Sequence, residues 1–146
     1  VLNALNFDGS FNLFTISHLA AQSYEVSVKS KAEIVLLAND AKREQIFFAI
    51  YQFKKNNDVC CLVKDSIMSP EDVIKPTVPN DQSLCFAGDA WNKYQQRFPE
   101  SLRNISSVAV EPVLASTLIS LSQSYSSLME PATKNTQPNY LRHPVN

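Results

Sequence analysis

Glycine is almost missing from this chain of 146 residues: it occurs twice, as Gly9 and Gly88. Phosphate loops and dinucleotide fingerprints need several glycines to bring backbone amides up to a phosphate, so neither fingerprint is present. Histidine is equally scarce. His18 and His143 stand far apart, and there is no His-x-x-x-His pair with which a helix holds a catalytic zinc. Cys60, Cys61 and Cys85 form neither an even disulfide framework nor a metal-ligand spacing. Adjacent strand residues point to opposite faces, and all three cysteines read as reduced core residues. No charge of one sign prevails: 13 basic residues face 14 acidic ones. That balance lacks the electrostatic footprint of sequence-independent nucleic-acid binding, so a role on RNA would run through a partner. No apolar run approaches the roughly 20 residues of a membrane helix, and the basic-then-apolar layout of a signal peptide is not seen. The expectation is a cytoplasmic chain without a membrane segment.

What is present is a patterned apolar fraction of 45%, enough for one compact domain with its own core. Residues 1 to 7, "VLNALNF", read as the last turns of a helix followed by a turn at Asp8-Gly9. An extended piece through Phe14 then leads to a helix capped by Thr15 or Ser17, with Leu19, Ala20 and Tyr24 inward. "EIVLLAND" (33 to 40) and "QIFFAIYQFK" (45 to 54) form a hairpin. In its second strand Ile46, Phe48 and Ile50 share one face and Phe47, Ala49, Tyr51 and Phe53 the other, so both faces are expected to be packed. A turn at 56 to 58 gives a third strand, "VCCLVKD".

"SPEDVIKP" spells a short helix: Ser69 as N-cap, Pro70 at the first position, Glu71 and Asp72 in the first turn, Pro76 as the stop. A linker (76 to 83) precedes a strand at "LCFAGDA", a helix around "WNKYQQRF" closed by Pro99, and a weak strand at 105 to 110. "EPVLASTLISLSQSYSSLM" is the strongest helix pattern. Leu114, Leu118, Leu121, Tyr125 and Leu128 make its inward stripe, and Pro112 lies in its first turn. Residues 131 to 146 read as a surface tail. An antiparallel meander followed by βα crossovers predicts an α/β fold, a mixed sheet with helices on both faces, like a ribonuclease H-like half-domain.

Three features offer chemistry. The charged knot Asp40-Ala41-Lys42-Arg43-Glu44 has the groups for acid/base work, yet it sits where a hairpin must turn, and turns collect such residues for structural reasons. The histidines have no serine, cysteine or carboxylate at a motif spacing, and read as ordinary core or surface residues. "AGDA" (87 to 90) puts Gly88 at a strand-to-helix turn where a phosphate can approach backbone, but tight turns need a glycine anyway.

Three stretches together resemble one family, the bacterial tRNA threonylcarbamoyladenosine biosynthesis protein TsaB, also called YeaZ and long labelled glycoprotease-like. "LLANDAKREQIFFAIYQF" is similar to its strand, Asp-Ala-Arg turn and aromatic second strand, with Lys42 in place of the usual Arg. "SPED" resembles the capped helix start after its third strand, and "QPNYLRHPVN" its Pro-x-Tyr-Leu-Arg tail. The resemblance covers nearly all of the chain but only the C-terminal lobe of the family. Its N-terminal lobe, with an Asp-Thr-Ser phosphate loop and a Gly-x-Gly-Ser-Phe-Thr-Gly motif, is not matched, and "GSF" at 9 to 11 is a decoy.

The resemblance implies an actin-like ATPase superfamily fold and a non-catalytic accessory role in tRNA modification. Its partners would be a TsaD-like transferase and a TsaE-like ATPase. The N-terminal lobe would make the main partner contacts and any homodimer of the full-length protein, and tRNA would be met indirectly. It also implies that the Asp40 knot is a turn. No catalytic, cofactor-binding or metal residue is assigned, and no cofactor. The alternatives are a glycoprotease-type metallopeptidase and an unrelated α/β binding domain.

Overall fold

The computed structural model describes residues 12–54, 58–77, 82–133 and 141. The expected helix at 1 to 7, the "GSF" stretch, His143 and most of the tail therefore lie outside the described residues. The elements are β1 (Phe14–Thr15), α1 (His18–Ser30), β2 (Ile34–Lys42), β3 (Gln45–Phe53), β4 (Val59–Met68), β5 (Leu84–Ala87), α2 (Ala90–Lys93), β6 (Ser107–Val108), α3 (Ala115–Ser124) and β7 (Glu130–Pro131). Five strands form a mixed sheet in the order β4-β3-β2-β5-β6. β2, β3 and β4 are antiparallel neighbours, whereas β5 runs parallel to β2 and β6 parallel to β5. The expected α/β meander with crossovers is what forms.

Alternation along the two central strands builds two cores. Ile34, Leu36 and Ala38 of β2 join Ile46, Phe48 and Ile50 of β3 on one face, under Trp91, Phe98 and Leu102. Val35 and Leu37 join Ala49, Tyr51 and Phe53 on the other, under Leu19, Ala20 and Val26 of α1. On the first face Trp91 stacks on Phe98 at 4.4 Å, meets Phe86 edge-on at 5.0 Å, and donates its indole N–H to the Ala87 carbonyl at 2.9 Å. The indole thus buries its ring without stranding its one polar group.

α1 begins where its cap dictates. The Ser17 hydroxyl accepts from the Ala20 amide at 3.1 Å, so the second of the two expected caps is the one used. Elsewhere packing overrides the pattern. "SPED" gives only a 3-10 turn, Pro70–Asp72, in which Ser69 makes no side-chain capping bond. The next residue, Val73, is extended and buried in the first core, and that contact ends the helix early.

The last helix is also shorter than its pattern and is turned differently. Leu114 is an extended N-cap residue, which leaves Pro112 outside, and the helix closes at Ser124. Its buried residues are Thr117 and Leu121, while Leu114 and Leu118 are 62% and 40% exposed. The cause is tertiary: Thr117 donates its hydroxyl to the Glu25 carboxylate of α1, which rotates the Thr117–Leu121 edge inward. Tyr125 still reaches the second core, edge-on to Tyr24 and Phe53 at 5.7 and 5.5 Å. At Pro131 the chain lies on the surface but is tied down: β7 pairs with β1 and the Ala132 amide donates to the Leu13 carbonyl at 2.8 Å.

The cysteines need one correction. Cys85 is buried, but Cys60 is half-buried and Cys61 exposed, because β4 is the end strand of the sheet with nothing beyond it among the described residues. No described helix is long and apolar enough to cross a membrane.

The reassigned face of α3 gives a direct check. Leu121→Ala should lower the unfolding free energy by about 2–4 kcal/mol, and Leu118→Ala by less than about 1 kcal/mol, in urea melts of the two variants. Equal losses would restore the stripe that the sequence pattern suggested.

Candidate functional site

Three strands, β2, β5 and β6, run parallel; β5 and β6 end level with Leu37 of β2, and the space beyond their C-terminal ends, beside Asn39 and Asp40, is where open α/β sheets hold ligands. A cleft of about 480 Å³ lies there, lined by Gln22, Asn39, Asp40, Gly88, Asp89, Asn92, Ser107, Ala109 and Val110. Its walls are mostly amides and carboxylates. Asn39 donates to the Gln22 side-chain oxygen at 2.7 Å, and the Asp89 carboxylate accepts from the Asp40 amide at 2.7 Å.

Gly88 stands at φ +107, and a Cβ placed there would come within 2.1 Å of the Ala38 carbonyl oxygen. Close approach of β5 to β2 thus demands this glycine. Its amide is already used, donating to the Val108 carbonyl at 3.2 Å, and α2 behind it has only four residues. The phosphate-binding reading of "AGDA" finds no free Gly88 amide on which to build.

The charged knot occupies the rim of the same cleft. At the tip of the β2–β3 hairpin Arg43 and Glu44 have φ 51 and 61, the left-handed conformations that a two-residue hairpin turn requires. Lys42 precedes them at φ 62, beside a register shift between Asp40 and Lys42. The Asp40 side chain is only 4% exposed. It accepts from Lys93 Nζ at 2.6 Å, Tyr94 Oη at 2.8 Å, the Lys42 amide at 2.9 Å and Lys42 Nζ at 3.0 Å.

The Lys93 ammonium first, then Lys42 and Tyr94, hold the Asp40 carboxyl far below the usual carboxylate range. A carboxylate held so low is a weak proton acceptor at neutral pH, and its ligands tie the hairpin to α2 instead. Arg97 completes the tie: it donates to the Glu44 carbonyl at 3.3 Å and grips Glu71 with two bonds of 2.5 and 3.1 Å. The knot is therefore a turn with a structural partner for its buried carboxylate.

A second polar cluster carries no signal in the sequence. Ser17 donates its hydroxyl to the Asp65 carboxylate, which also accepts from the Tyr51 hydroxyl at 2.7 Å. Burial first and Asp65 next push the Tyr51 phenol well above its ordinary value. These residues are 14 and 48 positions apart from Asp65, so only the sheet brings them together. His18, the next residue after Ser17, is exposed. Among the described residues no three His, Cys, Asp or Glu side chains are grouped to hold a metal ion.

No family pattern matches the sequence, and no curated protein is similar to it. Solved structures are. An uncharacterized protein from Pseudomonas aeruginosa with similarity to peptidase YeaZ superposes with a TM-score of 0.72 over 96% of this chain, at 24% identity. The fold is that of YeaZ. A structure of YeaZ from Pseudomonas aeruginosa itself gives a TM-score of 0.63 over 84% of the chain, also at 24% identity. The chain spans 63% and 55% of those two YeaZ-fold chains, so it corresponds to a part of each.

Two predictions follow from the knot. Because the folded Asp40 pKa lies below the unfolded value of about 4, its contribution is complete above that value and is lost as pH falls further. Asp40→Asn should accordingly lower stability at pH 7 and flatten the loss of stability below about pH 4 in thermal melts; an unchanged acid limb would remove Asp40 from the clamp. Replacing Arg43-Glu44 by Asn-Gly, residues suited to left-handed turn positions, should raise stability by about 1 kcal/mol, whereas a strained functional loop would lose activity without that gain.

Proposed function

We propose that this chain is the C-terminal part of a TsaB (YeaZ)-like protein, with the ribonuclease H-like architecture of the actin-like ATPase superfamily, and that the whole protein is a non-catalytic accessory subunit in tRNA threonylcarbamoyladenosine formation. The observation that carries the reading is the YeaZ fold over 96% of the chain. The hairpin "LLANDAKREQIFFAIYQF" supports it from the sequence side. In this reading the protein supports a TsaD-like transferase that places the threonylcarbamoyl group on N6 of adenosine, with a TsaE-like ATPase as a further partner, in the cytoplasm. The tRNA is met through the transferase, which agrees with a balance of 13 basic against 14 acidic residues.

The turn geometry of the knot favours this scaffold over an enzyme. Asp40 serves Lys93, Lys42 and Tyr94, and Arg97 serves Glu71 and Glu44, so the charged groups at the cleft rim are engaged in holding the hairpin. A metallopeptidase, the alternative reading, would need a metal-ligand group, and no three His, Cys, Asp or Glu side chains are so grouped among the described residues.

Nucleoside mass spectrometry of bulk tRNA tests the proposal. Source cells depleted of the full-length gene product should lose threonylcarbamoyladenosine. The full-length gene should restore it and residues 1–146 alone should not, as contacts with the transferase are assigned to the other lobe. Unchanged levels after depletion would leave a shared fold and no shared role.

A further inference from the structure

The neighbouring parallel strands β5 and β6 send the chain to opposite faces of the sheet. After β5 it passes to Trp91, Phe98 and Leu102 of the first core, and after β6 it passes through Val110 to Tyr125 and Leu128 of the second. Strands whose exits diverge in this way leave a crevice between their C-terminal ends, the topological switch point at which open α/β sheets bind ligands. The cleft of about 480 Å³ is that crevice: Gly88, Asp89 and Asn92 follow β5, Ser107 belongs to β6 and Ala109 comes just after it.

Its inner wall holds polar groups with bonding capacity to spare. Gln22 is only 9% exposed. Its side-chain oxygen accepts from the Asn39 amide at 2.7 Å, and no described group takes up its Nε2 hydrogens. The pair therefore turns two donors on Gln22 and one acceptor, Asn39 Oδ1, toward the cleft. Gly88 keeps that oxygen uncovered, since a Cβ there would stand 2.7 Å from it. Nearer the mouth, the Asn92 amide and the Ser107 hydroxyl have no partner among the described residues, and Asp89 spends one oxygen on the Asp40 amide at 2.7 Å and keeps the other.

This inventory selects the ligand by its chemistry. An anion is disfavoured, because no lysine, arginine or histidine lines the cleft and the Gly88 amide is already bonded to the Val108 carbonyl. A nucleobase is disfavoured as well, because none of the lining residues is an aromatic on which it could stack. An ammonium would satisfy the acceptors and leave the Gln22 donors bare, and Lys93 and Lys42 already offset the charge of Asp40. A hydroxyl both donates and accepts, so a ring of hydroxyls meets donors and acceptors together and lays its C–H groups on Ala109 and Val110. We propose that the cleft binds an uncharged sugar or cyclic polyol, with Gln22 Nε2 and Asn39 Oδ1 engaging its inner hydroxyls and the exposed Asn92 and Asp89 its outer ones. Binding of this kind requires no catalysis, so the site stands beside an accessory role without depending on it.

Saturation-transfer NMR and calorimetric titration of the 146-residue chain test it, with D-glucose, D-galactose, D-mannose and myo-inositol as probes. At least one should bind saturably, with a dissociation constant on the order of 1 mM. Asn92→Ala, at an exposed position, should weaken that binding roughly five-fold. Gln22→Glu keeps the oxygen that Asn39 bonds but removes the N–H donors, and should weaken it roughly ten-fold, with melts confirming that both variants fold. D-glucuronate and D-glucosamine carry a charge of either sign on a similar ring, and each should bind more weakly than the best neutral probe. No saturable binding of any neutral probe, tighter binding of either charged sugar, or an affinity that neither substitution moves would each overturn the proposal.

Discussion

Strand β2 has no side that faces water through its middle: Val35, Leu36, Leu37 and Ala38 are each 0% exposed. It is bonded on one edge to antiparallel β3 and on the other to parallel β5, and each face carries a separate core. The elements that pack directly on this strand take their places from it. α1 covers one face and the Trp91–Phe98 cluster the other. A strand enclosed in this way must be apolar at consecutive positions, because alternation would bury polar groups on one side. "IVLLA" satisfies that demand.

The end of β2 is where enclosure stops and polarity begins. Residues 39 and 40 leave the core together, and their side chains turn to Gln22 and to the Lys93, Tyr94 and Lys42 donors. Gly88 lets β5 come close enough for this rim to form, since any Cβ there meets the Ala38 carbonyl. The cleft is thus a by-product of packing two parallel strands tightly and then terminating them. Its charged groups are spent mostly on keeping the hairpin tip in left-handed conformations that Lys42, Arg43 and Glu44 adopt only under constraint.

The sheet was legible because its signals are local and redundant. Alternation in β3 named both faces correctly, and the hairpin, the third strand and the strand at Leu84 lie where their patterns put them. The start of α1 was legible for the same reason, down to two candidate caps, Thr15 and Ser17, of which Ser17 is the one used. Less could be read where one helical turn competes with a tertiary contact. Val73 pulled the chain out of a helix that Pro70 and Glu71 had begun. The leucine stripe of α3 holds at Leu121, Tyr125 and Leu128 but not at Leu114 and Leu118, where Thr117, bonded to Glu25 across 92 positions of sequence, faces inward instead.

The sequence by itself determined the order of the strands of the main sheet and the two-faced burial of the central ones, because both follow from short-range periodicity and turn chemistry. It also determined that the charged knot carries the hairpin turn, although the turn proper is Arg43-Glu44 and Asp40 stays in β2. Tertiary structure alone decided what that turn is tied to, with Lys93 and Tyr94 arriving from 53 and 54 residues away. It decided which side of α3 is buried, and that β4 ends the sheet with Cys61 in the open. Such outcomes depend on which distant groups meet, and no local pattern in the chain encodes the meeting.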